Sequence, residues 1–80
     1  MENRSVPPHV ERMMAEAEEL SDRITKLGLF LSGPIFASLH DTDQGLLQAQ
    51  LASMTSYLSV LSIRITRSVP SSEQPASASA

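Results

Sequence analysis

The 80-residue chain contains no cysteine. That removes both a disulfide staple and a thiolate metal site, and it leaves the redox compartment unspecified. No run of about 18 apolar residues occurs, so no membrane-spanning helix is expected. The opening Met-Glu-Asn-Arg-Ser lacks the apolar core of a signal peptide, which makes a soluble intracellular protein the expectation. There is no glycine-rich phosphate loop, no nucleophile elbow and no Cys-His pair. Basic residues are a minority, with six Lys and Arg against nine Asp and Glu for a net charge of −3. This balance argues against a general nucleic-acid binder.

Other catalytic constellations are equally scarce. His9 and His40 fall at the two ends of the first helical segment or just beyond it, roughly 40 Å apart at the helical rise per residue. They cannot share a site within one chain. Glu11, Glu16, Glu18 and Glu19 could hold a metal, but no Glu-x-x-His pair accompanies them as in di-iron bundles, and they read as a solvated acidic face. Neither enzyme activity, a metal nor a cofactor is expected.

What the chain does have is a pair of matching stripes. Val10, Met13, Ala17, Leu20, Ile24, Leu27 and Leu31 step by three and four, as do Leu47, Leu51, Met54, Leu58, Leu61 and Ile65. That is the spacing of a helix seam. Two long helices joined by a short connection predict an all-α antiparallel two-helix hairpin, coiled-coil-like. A hairpin of this size cannot surround a core, because each helix has only one neighbour. Self-association into a homo-oligomeric bundle is therefore expected.

Punctuation sets the boundaries. Residues 1–7 read as a flexible lead, and Pro7 and Pro8 suit the first turn of a helix. The first helix is expected over about 8–32, ended by Gly33 in a left-handed conformation with Pro34 behind it. The connection, 33–41, is apolar enough to form a helical turn whose Phe36 and Leu39 plug the end of the hairpin. Asp41 is expected to cap the second helix, with Gln44 reaching back in a capping box. That helix should span about 42–67. Residues 68–80, rich in Ser, Ala and Pro, read as a disordered tail.

The helices differ in charge. The first carries acids and bases throughout, with Glu19–Arg23 and Asp22–Lys26 spaced for weak i,i+4 pairing. The second has no charged residue from Gln44 to Ile63. Its face away from the seam holds Leu46, Ala49, Ser53, Ser56, Val60 and Ile63, which suits burial on a second side and nominates these residues as an oligomer interface. Gln48, Gln50 and the many hydroxyls make the segment too polar for a membrane.

The remaining polar residues each have a bland reading and a functional one. Tyr57 can stack on a base, or serve as an interface aromatic with its hydroxyl at the rim. Arg12, Arg23 and Lys26 can bind phosphate, or pair with the acids beside them. Arg64 and Arg67 suit the end of the second helix through its dipole. Folding back places that end beside His9 and Arg12. The cluster of His9, Arg12, Arg64 and Arg67 is thus the most electropositive locale available and the first place to seek an anion.

Several runs carry a resemblance. They are Pro-His-Val-Glu-Arg-Met, then Glu-Glu-Leu-Ser-Asp-Arg-Ile-Thr-Lys-Leu with Phe30 after it, Leu-Leu-Gln-Ala-Gln-Leu-Ala-Ser-Met-Thr-Ser-Tyr, and Val-Leu-Ser-Ile-Arg-Ile. Over about residues 8–66 the chain resembles small proteins of tailed phages and prophages. The architecture also resembles the anti-CBASS and anti-Thoeris hairpin proteins, sponges that sequester the nucleotide signals of bacterial immunity. Those assemble as hexamers and hold ligand between subunits with aromatic and basic side chains. The resemblance implies a cyclic nucleotide or ADP-ribose-type ligand, the cytoplasm of an infected bacterium as location, and Tyr57, Lys26, Arg12 and Arg64 as contacts. An adaptor or inhibitor whose apolar stripe is completed by a host helix is the alternative. A role in the virion or in replication is a third.

Overall fold

The computed structural model describes residues 6–69. Among them the chain is all helix and turn: α1 is Pro8–Leu31, α2 is Pro34–Ala37 and α3 is Asp41–Ser68. Pro7 and Pro8 open α1 as expected of a residue type with no donor to orphan. The Pro7 carbonyl accepts from the amides of both Val10 and Glu11 at 3.0 Å. Glu11 lies in this first turn, where a carboxylate favours the positive end of the helix dipole.

The stop after α1 works differently from the expectation. Ser32, not Gly33, is the terminating residue, at φ −97° and ψ 6°. The amides of Ser32 and Gly33 close tight turns onto the Leu29 and Phe30 carbonyls at 3.2 and 3.0 Å. Gly33 itself is extended, at φ −100° and ψ 173°, because a residue preceding proline is pushed out of the helical region. A left-handed residue is not required here. A methyl group added at Gly33 would sit 3.5 Å from the Phe30 carbonyl oxygen, an ordinary contact.

The connection forms the expected helical turn, and its apolar side chains are used. Phe36 is half-buried and meets the edge of Phe30 with ring centroids 6.4 Å apart and planes 79° apart, the favourable T-shaped geometry. The start of α3 again departs from the expected capping box. His40 is the capping residue, and its Nδ1 accepts the Thr42 amide at 3.0 Å. Gln44 turns the other way and donates its side-chain amide to the Phe36 and Ala37 carbonyls at 2.9 and 3.3 Å. The Phe36 carbonyl also accepts the Leu39 amide at 3.0 Å, so Gln44 gives it a second donor and gives the Ala37 carbonyl at the end of α2 its side-chain donor. Asp41 and Asp43, displaced inside the helix, act through the dipole.

Replacing His40 with alanine is expected to cost about 1 kcal/mol through loss of this cap. His40→Asp, which restores a side-chain acceptor, should recover most of it. Thermal unfolding followed by circular dichroism checks both.

The two long helices run antiparallel. Val10, Met13 and Leu61 form the buried cluster at the open end, with Val6, Ala17, Ile65 and Val69 packed against it. Leu20 continues the seam. Val6 and Val69 thus extend the packed unit into the expected lead and tail, and Ser68 is helical. The rest of the lead and the tail, 1–5 and 70–80, lies outside the described residues. Buried apolar side chains number four among the described residues, Val10, Met13, Leu20 and Leu61, the thin core expected when each helix has one neighbour. Of the two intrahelical ion pairs anticipated on α1, Asp22–Lys26 forms at 3.1 Å; Glu19–Arg23 does not pair among the described residues. No helix of the described residues is long and apolar enough to cross a membrane.

Candidate functional site

Antiparallel packing gives the hairpin two flanks, and the candidate ligand residues gather on one of them. Leu61 packs against Val10 and Met13, which sets the level at which the two helices face each other. One turn before Leu61, Tyr57 projects beside the seam, and its hydroxyl donates to Glu16 Oε2 at 2.7 Å. This bond joins residues 41 apart in sequence and is short, as expected for a hydroxyl on a carboxylate. Tyr57 keeps 42% of its surface exposed, so the ring is held at its tip while a face remains open.

The same flank carries positive charge. Arg64 lies seven residues beyond Tyr57 and His9 seven before Glu16, spacings that keep each on the side of its neighbour. Helical spacing therefore puts His9 and Arg64 on the side where Tyr57 and Glu16 meet, with Arg12 further around α1, and all three are exposed. Arg67 follows one turn after Arg64 and is also exposed, further around α3. Lys26 does not join them. It pairs with Asp22 on exposed surface, and lies ten residues from Glu16, about 15 Å along α1. Arg23 is likewise on the α2 side of the Tyr57–Glu16 contact.

Glu16 is the residue that the sequence reading missed, having been assigned to a solvated acidic face. Its signal was positional. Glu16 sits between the seam residues Met13 and Ala17, at the seam's edge, where a long polar side chain can reach across to the facing helix.

The other flank forms an open groove of about 690 Å³ lined by Met14, Ala15, Ala17, Glu18, Ser21, Leu58, Ser62 and Ile65. None of the candidate ligand residues lines it. Among the described residues no cluster of His, Asp or Glu could hold a metal ion.

A family model described as Sequestin matches residues 7–67, a span that takes in α1, α2, all of α3 but its last residue, and every residue of the Tyr57 flank. The chain belongs to the Sequestin family. No curated protein and no solved structure matches it. In this Sequestin-family chain the matched span covers the hairpin almost end to end.

The Tyr57–Glu16 bond has an electrostatic consequence that can be read directly. The hydrogen bond to Glu16 raises the Tyr57 pKa above its ordinary value; desolvation and the Glu16 charge act in the same direction, and Arg64 opposes them. The bond exists only with the phenol protonated. Its contribution to stability is thus fully present below the unfolded-state value of about 10 and is lost as pH rises through the higher folded value. Tyr57 is the single tyrosine of the chain, so absorbance near 295 nm titrates it alone. A midpoint above that of a model tyrosine is expected, and Glu16→Gln should move it down.

Proposed function

We propose that this protein is a phage or prophage anti-defence protein that binds a nucleotide second messenger of bacterial immunity and holds it without cleaving it. The observation that carries the reading is the Tyr57 flank. One aromatic ring is fixed at its tip by Glu16 with a face left open, and His9 and Arg64 stand on the same side, with Arg12 further around α1. A base stacks on such a ring, at about 1–3 kcal/mol per base, and guanidinium groups take phosphates by paired charge-assisted hydrogen bonds. The family's name, which speaks of sequestering, and the likeness to hairpin sponges support the same reading. The protein acts by mass: each assembled copy removes signal from the host without turnover, in the bacterial cytoplasm.

The flank of one hairpin is shallow, and a small ligand is held tightly only in a concave site. Self-association through the exposed face of α3 supplies the missing wall, so the working form is a homo-oligomer with ligand between copies. Native mass spectrometry of the purified protein, alone and with a panel of cyclic di- and trinucleotides and ADP-ribose derivatives, tests this. A closed oligomer that gains one nucleotide mass at fixed ratio is the expected result. A protein that gains no nucleotide mass from the panel refutes it.

The exposed Leu46, Val60 and Ile63 also favour a second reading, in which a host helix completes the apolar face and the protein is an adaptor or inhibitor.

A further inference from the structure

α3 has two apolar faces, and α1 covers one. The covered face holds Leu47, Leu51, Met54, Leu58, Leu61 and Ile65, each buried or half-buried. The other holds Leu46, Ala49, Ser53, Ser56, Val60 and Ile63, again at steps of three and four, the spacing of a second coiled-coil seam. All six are exposed, with Leu46 at 63%, Val60 at 52% and Ile63 at 60%.

This second seam is symmetric about its own midpoint, between Met54 and Thr55. Reflection through that point carries Ser53 onto Ser56, Ala49 onto Val60 and Leu46 onto Ile63. Small residues meet at the centre, small meets large in the next layers, and large meets large at the ends. A helix laid antiparallel on its own copy makes those layers on both sides of a two-fold axis, an isologous contact.

Charge chooses the same arrangement. One edge of the seam carries Asp43, Gln50, Tyr57 and Arg64 at seven-residue intervals. Antiparallel pairing sets Asp43 of one copy near Arg64 of the other at each end, and Gln50 near Tyr57 between them. Parallel pairing would gather the acidic starts, Asp41 and Asp43, at one end and Arg64 and Arg67 at the other, repelling at both. The opposite edge holds Gly45, Ala52, Ser59 and Thr66, small enough for close approach of the backbones.

The geometry points to a two-fold antiparallel α3–α3 interface between two copies of this chain, with Asp43 of each copy paired to Arg64 of the other. It deepens the self-association in the proposed function, and rests on it, but requires no ligand. The Tyr57 edge is the one nearer α1, so both copies of α1 rise on the same side of the paired α3 helices and wall a trough. The two Tyr57 rings straddle the axis within it, about 7.5 Å apart along the helix direction at the helical rise. A ligand held by Tyr57 is then held by two copies at once.

Because the chain has no cysteine, single cysteines report on this register without background. Ser53→Cys and Ser56→Cys proteins, both altered at exposed serines, are mixed in equal amounts, oxidised without nucleotide and resolved by non-reducing electrophoresis and mass spectrometry. The mixed covalent dimer should dominate over self-linked dimers of either variant. In parallel, sedimentation of folded protein, checked by circular dichroism, should show the dimer dissociation constant raised about tenfold by Asp43→Arg and restored by adding Arg64→Asp. Either of two results overturns the interface: sedimentation of the unaltered protein as a monomer, or self-linking of Ser53→Cys equal to the mixed product. A double charge variant no tighter than Asp43→Arg removes the Asp43–Arg64 pairing. All measurements are made without nucleotide, so a dimer that binds no nucleotide refutes the ligand reading and leaves the interface standing.

Discussion

Leu61→Ala is expected to destabilise the hairpin by about 2–5 kcal/mol, the range for removing a buried leucine side chain. Leu61 is fully buried, with relative exposure of 0%, and it joins α3 to Val10 and Met13 of α1. Few other side chains share that task, since the buried set among the described residues is Val10, Met13, Leu20 and Leu61. At about 0.05–0.15 kcal/mol per residue, the described hairpin has only some 3–10 kcal/mol of stability in total. The loss therefore takes a large fraction of the fold, and the helices lose the partner that makes them persist in water. Leu29→Ala is the matched control. Leu29 is 69% exposed, and its truncation should stay within about 0.5 kcal/mol. Far-UV circular dichroism against temperature compares the two; equal shifts would place the core elsewhere.

Under the proposed function, Tyr57→Ala is expected to weaken nucleotide binding by about 5- to 150-fold, the equivalent of the 1–3 kcal/mol that a base gains on an aromatic ring. Tyr57→Phe separates the ring from its hydroxyl. It loses the bond to Glu16 but keeps the stacking face, so it should retain most of the affinity if the ring is the platform. Arg12→Ala, which removes a cation from the same flank, should weaken a ligand with phosphate groups by about tenfold, as expected for one charge-assisted hydrogen bond. Lys26→Ala, paired with Asp22 away from the flank, should leave binding unchanged. Isothermal titration with the nucleotide identified by mass spectrometry measures all four. Equal affinities of Tyr57→Ala and the unaltered protein would remove Tyr57 from the site.

The hairpin was legible because its signals are local. Apolar residues at steps of three and four, Pro7 and Pro8 at one end, and Gly33 with Pro34 at the other mark two helices with no knowledge of what they touch. The charge-free run from Gln44 to Ile63 marks α3 as the helix whose outer face is uncharged. Details that hinge on a neighbour were misread. Gly33 before Pro34 suggests a left-handed stop, yet Ser32 ends α1 and the following proline holds Gly33 extended. Gln44 suits its own helix start by spacing, yet the chain end of α2 lies within reach and its side chain donates to the Phe36 and Ala37 carbonyls instead.

Two helices, the break between them and the face that each buries follow from periodicity and chain breakers, which act within a few residues. The level at which the helices face each other follows instead from contacts between distant residues. A heptad stripe looks nearly the same after a slide of three or four residues, so many registers bury it equally well. Phe36 against Phe30, Gln44 on the α2 carbonyls and Leu61 between Val10 and Met13 select one. That choice sets Glu16 opposite Tyr57, and leaves Lys26 out of reach of the flank where Arg12 and Arg64 stand.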